Sequence, residues 1–392
     1  MLKLTDYCNP PLGARGYIEY MKKLFHTLHL WLGLASGLLV FIIAVTGALY
    51  AFKDEIQNSG SYHDVQKQEK AFLLPSQLQS IAEETLPGKT LHAIKYNGSE
   101  QAAEASFYGY NPTYYYVLYL NPYTGEVQKV KDMNKDFFRF IMQGHYYLWL
   151  PPQIGHPLVA CSTLVFFLVL ITGLIIWIPK NRTALKNRVW FRWKKGTKWP
   201  RINLDLHVVG GLYVSIFALI FAITGLVWGF QWFAQSYYKL AGGEKSLAYS
   251  DVSSYKHSTD STRTTKNAVD RVWLLMLHEY PQAASIEVHP PHTDSTTIAA
   301  NANQRDGKYW KTDYRYFDQH SLKEVPVNNI YGRYADAQFA DKLFRMNYEI
   351  HTGAILGLPG KIFACLMSLC IASFPITGFI LWWKKRLKKR KK

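Results

Sequence analysis

Residues Leu28–Phe52 read LHLWLGLASGLLVFIIAVTGALYAF. No charge interrupts this run, and about 20 apolar residues suffice to carry a helix across a hydrocarbon core of ~30 Å. A hydropathy window finds three more such runs, near Ile154–Ile178, Leu206–Phe233 and Gly357–Trp383. Each holds Gly, Ser or Thr, which lets helices approach closely in lipid. The expected fold is an integral membrane, α-helical protein with four transmembrane helices. Mean hydropathy is near zero because roughly half the chain, between the runs, is polar. Buried helices of a large soluble protein are rarely this long, nor flanked by charges so ordered.

Those charges set an orientation. Nine basic residues lie from Lys180 to Arg201 with no acid among them, and eight more follow the last run, from Lys384 to Lys392. Lys22 and Lys23 precede the first run. Segments 53–145 and 235–350 are nearly balanced, with 9 basic against 11 acidic and 14 against 14 residues. The positive-inside rule then places both termini and the 180–204 loop in the cytoplasm and the two balanced segments outside. The net charge of +17 reads mainly as a topology signal, with anionic membrane lipid as the partner of the basic flanks and no nucleic acid. The first run is too long for a cleaved signal and has no A-x-A site after it. Met21-Lys22-Lys23 reads like a second possible start. Cys161, Cys365 and Cys370 fall in the runs and Cys8 on the cytoplasmic side, so neither external segment is disulfide-stapled.

Aligning the runs shows two tandem repeats. In the first, Gly33 stands four residues after His29, and Thr46-Gly47 seventeen and eighteen after it. His207, Gly211 and Thr224-Gly225 in the third repeat that spacing. The second and fourth runs carry Ile171-Thr172-Gly173 then Trp177, and Ile376-Thr377-Gly378 then Trp382. His145 and His351 precede these by 27 and 26 residues, each followed by Leu-Pro, at Leu150-Pro151 and Leu358-Pro359. Repeats of like orientation relate by a pseudo-two-fold along the membrane normal. The boundaries expected are a cytoplasmic tail at 1–20, spans at 21–53 and 205–234, external modules at 54–140 and 235–345, elbow-plus-span segments at 141–179 and 346–383, a basic loop at 180–204 and a basic tail at 384–392.

Each external segment reads as a small α+β module. In the first, residues 75–86 pattern as an amphipathic helix, and strands at Tyr115–Leu120 and Glu126–Val130 flank the turn Asn121-Pro122-Tyr123-Thr124-Gly125. In the second, a helix at Val269–Leu277 precedes strands at Ser285–Val288, Thr296–Ala300, Tyr309–Phe317 and Lys323–Val327.

The His helix, the strand–N-P-x-T-G-E–strand module and spans closing on I-T-G resemble the PepSY-associated transmembrane family, and within it the inner-membrane siderophore reductases. The resemblance covers nearly all of 21–385. It implies two external PepSY-like domains and a multi-pass protein of the bacterial inner membrane with its large domains periplasmic. It also implies haem b, about two per chain, and an oxidoreductase passing electrons outward to a ferric siderophore or similar ferric chelate, for iron release and uptake.

The residues make their own chemical argument. His29 and His207 lie at the cytoplasmic ends of the odd spans, at equivalent depths. Two imidazoles facing each other across a bundle suit the axial positions of a haem iron. Gly33 and Gly211, a turn away on the same faces, leave room for a flat macrocycle. His145 and His351 form the matching outer pair. His26 and His156 are weaker candidates, His156 aligning with Lys361 as a headgroup or propionate contact. No residue is assigned as catalytic. Tyr146, Tyr147, Trp149, Arg345 and Tyr348 are a candidate acceptor surface beside the outer site. His289-Pro-Pro-His292 could hold a metal, but its prolines stiffen it and it reads as a plain loop. No C-x-x-C-H, G-x-G-x-x-G or Walker motif occurs, so covalent haem attachment and a nicotinamide, flavin or P-loop domain are not expected. Electrons would come from a separate donor, a quinol or a cytoplasmic reductase. The alternative is a non-redox anchor whose PepSY modules bind or restrain a periplasmic partner.

Overall fold

The computed structural model describes residues 14–179, 182–249, 252–254, 265–305 and 308–390. Residues 1–13 of the expected tail, with Cys8, and Lys180, Lys391 and Lys392 of the basic flanks lie outside these. Eight helices matter below: α1 (Ala14–Tyr50), α2 (Pro75–Thr85), α3 (Phe137–Tyr147), α4 (Pro152–Trp177), α5 (Trp199–Gly229), α6 (Thr265–Glu279), α7 (Asn347–Thr352) and α8 (Leu358–Arg390). The chain forms two compact units. One gathers residues up to Leu49, Gln143–Gln231 and those from Ile362 onward; the other comprises Tyr50–Met142 and Trp232–Lys361.

The first unit holds the four helices long and apolar enough to cross a membrane, with apolar stretches at Tyr20–Tyr50, Pro152–Trp177, Trp199–Gly229 and Leu358–Leu387. The protein is therefore a multi-pass membrane protein. Its core joins Val40 and Ala44 of α1, Val214 and Ala218 of α5, and Ile371 and Ala372 of α8, with Phe166 and Leu170 of α4 against them. Small residues set the approach: a Cβ on Gly229 would meet that of Ala160 at 3.1 Å, and one on Gly37 would meet Pro375 at 3.3 Å. The third span begins at Trp199, seven residues before the hydropathy edge at Leu206. It ends where Phe230 turns extended, short of the expected Phe233. Inside it, Leu206–Gly210 forms a single π-helical turn. Arg188 donates to the carbonyls of Ile176 and Trp177, satisfying open acceptors at the end of α4.

The second unit is one seven-stranded antiparallel sheet, ordered β4-β3-β2-β1-β5-β6-β7. Its strands are β1 (Leu91–Tyr96), β2 (Ala103–Tyr110), β3 (Thr113–Leu120), β4 (Val127–Asp132), β5 (Ser285–His289), β6 (Ile298–Asn303) and β7 (Asp313–Phe317). The two expected modules are thus not separate domains. They share a sheet through β1 and β5, where Ile94 faces Val288 and Lys95 faces Glu287. Helices α2 and α6 supply Leu78, Ala82, Val272, Trp273 and Met276 to a core with Ile94, Phe107, Leu118, Val288 and Phe317 of the strands. The buried Asp270 carboxylate on α6 accepts from the backbone N–H of Ser76 (2.8 Å) and its hydroxyl (2.6 Å) on α2. One helix thereby caps the first turn of the other.

The turn at residues 121–125 forms as its residues dictate. Asn121 Oδ1 accepts from Tyr123 N at 2.9 Å, and Gly125 sits at φ 78°, where a Cβ would also strike Ile81. Two expected strands change character. Tyr309–Lys311 is a helical turn before β7, and Lys323–Val327 makes only a bridge, Phe317 to Glu324. Glu324 is held there by Arg315 and Arg333, whose contacts push its carboxyl down to about 2 against the burial that would raise it.

Candidate functional site

The paired histidines of the membrane unit meet. His29 on α1 and His207 on α5 have ring centroids 6.2 Å apart, with planes at 80°. Each ring is oriented by a Thr-Gly pair on a neighbouring helix. His29 Nδ1 lies 3.0 Å from the Val169 carbonyl and 3.3 Å from Thr172 Oγ1 of α4. His207 Nδ1 lies 2.9 Å from Thr377 Oγ1 of α8. A carbonyl only accepts, so His29 Nδ1 carries the proton. The hydroxyl hydrogen of Thr377 is spent on the Phe374 carbonyl, as that of Thr172 is on Val169. Each hydroxyl oxygen therefore accepts from an imidazole N–H. In a neutral ring this fixes the tautomer and puts the lone pair on Nε2.

The glycine of each pair makes the seat. A Cβ on Gly173 would lie 3.0 Å from His29 Cε1, and one on Gly378 would lie 3.2 Å from His207 Cε1. The same device recurs at His145, whose Nδ1 lies 2.9 Å from the Ile43 carbonyl and 3.2 Å from Thr46 Oγ1, and a Cβ on Gly47 would lie 3.0 Å from its Cε1. The sequence reading marked the Thr-Gly pairs only as a repeat. It missed that three of them, Thr46-Gly47, Thr172-Gly173 and Thr377-Gly378, receive a histidine from another helix, about 100 to 170 residues away.

Space lies beside the inner pair. A Cβ on Gly33 would meet only Val169 at 4.0 Å, and one on Gly211 only Phe374 at 4.0 Å. Imidazole–metal bonds run about 2.0–2.1 Å, so two rings on one ion sit with centroids roughly 6 Å apart. The 6.2 Å spacing fits that figure. His207 falls in the π-helical turn, a distortion that often marks functional positions. Among the described residues no group of three or more His, Cys, Asp or Glu side chains is arranged to hold a metal ion. A pair of imidazoles supplies two possible ligands.

The remaining candidates fall as follows. His26 is exposed, one turn before His29. The Nε2 of His156 reaches the Trp228 carbonyl at 3.2 Å, so it acts as a donor there and fastens α4 to α5. His351 belongs to the sheet unit, on α7, and His145 to the membrane unit. Both histidines precede tight elbows. After His145, Leu148 and Trp149 take positive φ (54° and 57°), and after His351, Gly353 and Gly357 do (77° and 71°). A Cβ on Gly155 would strike the Tyr147 carbonyl, and one on Gly360 the Gly353 carbonyl, each at 2.1 Å. Each of these carbonyls lies two residues after its histidine, a match the sequence reading passed over. Lys361, the counterpart of His156, pairs with Asp54 and Glu55 at 3.1 Å each.

Of the expected acceptor surface, Trp149 and Tyr348 are exposed, and Tyr146 and Tyr147 are partly buried. Arg345 is not a free cation. Its guanidinium donates to the carbonyls of Ile330, Thr312 and Gly332 and stacks on Tyr314. Its hydrogen bonds hold the loop before α7 in place.

The chain matches the family described as the PepSY-associated TM region over residues 26–385 and belongs to that family. No curated protein matches it.

Proposed function

We propose that this protein is a haem-binding transmembrane electron conduit that reduces ferric iron held by a siderophore or similar chelate. The observation carrying the proposal is the His29–His207 pair, 6.2 Å apart and turned so that Nδ1 is engaged and Nε2 is not. Haem b, if bound there, would supply one-electron chemistry, and His29 and His207 are the residues that would hold its iron. The chain's part is to hold both rings in the correct tautomer through Val169, Thr172 and Thr377. A second haem, from the sequence pairing of His145 with His351, belongs to the same proposal. So do the tandem-repeat ancestry, which the matched elbows and Thr-Gly seats support, and the periplasmic placement of the sheet unit with both termini inside, which the charge pattern supports. Ferrous iron is bound less tightly than ferric by hard oxygen donors, so reduction would favour its release.

The test is the absorbance of purified protein and its variants. A b-type, low-spin spectrum with acid-extractable haem is expected. His29→Ala and His207→Ala should each lower haem content by about half and abolish reduction of an external ferric chelate in spheroplasts. A colourless protein from haem-replete cells would leave the non-redox anchor as the better reading.

A further inference from the structure

The His-Pro-Pro-His loop is not isolated in the folded protein. The β1–β5 seam brings His92 of the first module against it. The His92 ring lies 4.8 Å from that of His289 and 5.6 Å from that of His292, centroid to centroid. His92 Nδ1 is buried without a hydrogen-bond partner. His289 Nε2 accepts from the Asn301 amide at 3.2 Å and has Glu287 Oε1 3.8 Å away. The three rings, with Tyr108, line a cavity of about 330 Å³. Imidazoles sharing one four-coordinate ion sit with centroids about 5 Å apart, so His92 stands near ligand spacing from each of the other two rings. Their nitrogens do not converge on one point as they stand, and the His92 and His292 planes are near parallel, at 16°. Convergence requires the rings to rotate and His289 to release its hydrogen bond with Asn301.

We infer that His92, His289 and His292 form a site for a first-row divalent transition-metal ion that clamps the seam between the two modules. Imidazole donors select zinc, copper, nickel or cobalt over magnesium or calcium. Glu287 adds a negative charge beside the ion. The site is independent of the haem reading.

Untagged, full-length protein in detergent, titrated with Co²⁺ at pH 7.5, tests the inference. About one equivalent should bind with the visible absorption of four-coordinate cobalt, be displaced by Zn²⁺, and raise the melting temperature. His292→Ala, in a surface loop, and His92→Gln should each weaken binding at least tenfold, while His207→Ala leaves it unchanged. Absence of a stoichiometric site, or binding unaltered in both His292→Ala and His92→Gln, would overturn it.

Discussion

At the scale of single residues, the Thr-Gly pair does two things for one histidine. Thr377 accepts the Nδ1 proton of His207, and Gly378 leaves the space in which the ring lies. Groups that orient a ligating histidine typically contribute 10–100-fold to metal affinity. Thr377→Val keeps the volume and removes the acceptor. Haem titration of the apo-protein should therefore show about 10- to 100-fold weaker binding at the inner site, and unchanged affinity would mean that Thr377 does not orient a ligand. The sequence displayed these residues plainly, through identical spacing in two halves. It could not show which histidine each pair serves. Thr46 lies on the same helix as His29 yet seats His145, and His29 is seated by Thr172, 143 residues away. Spacing along one helix says nothing of contacts between helices.

Among the elements, hydropathy and turn chemistry located α2, α6 and most strands to within a few residues, while the first and third spans begin at Tyr20 and Trp199, well before the expected Leu28 and Leu206. The join between the modules was hidden. Strand pairing is made by backbone groups, so nothing in LHAIKY or SIEVH announces that β1 and β5 are neighbours. The helices α2 and α6 are coupled as firmly as the strands, through Asp270 and Ser76. Asp270→Ala removes an acceptor from two donors near a helix start and should cost about 1–2 kcal/mol. Chemical denaturation of the detergent-solubilised protein would measure it, and a loss near zero would show the cap to be idle. The seam also makes the sheet acid-sensitive. Burial and neighbouring histidines push His92 and His289 down to about 4. A histidine lowered in the folded state binds its proton more readily when unfolded. The stability it contributes is full above the ordinary value of about 6.5 and is lost as pH falls towards 4. Glu287, raised by burial, takes up a proton more readily in the folded state and offsets part of this. Melting temperature should fall from pH 7 to pH 4.5, and His92→Phe should flatten the fall. An unchanged slope in that variant would contradict the assignment.

For the whole molecule, four long apolar helices and a continuous sheet built from two distant segments fit a membrane protein of the PepSY-associated TM family. The proposed orientation rests on the basic flanks alone, because charge beside a span is written directly in the chain. The haem expectation came from matched positions in the sequence; the fold adds that two rings 178 positions apart in the sequence lie 6.2 Å apart in space. That arrangement has a direct spectroscopic consequence. Two axial imidazoles whose planes are nearly perpendicular bring the iron d-orbitals close in energy and give a strongly anisotropic low-spin signal, whereas parallel planes give an ordinary rhombic one. Low-temperature electron paramagnetic resonance of the oxidised protein is therefore the most direct measurement. With ring planes at 80°, an anisotropic low-spin ferric haem signal is predicted, present in the wild type and lost in both His29→Ala and His207→Ala. No ferric haem signal, or one that survives both substitutions, would contradict the assignment of these histidines as its ligands.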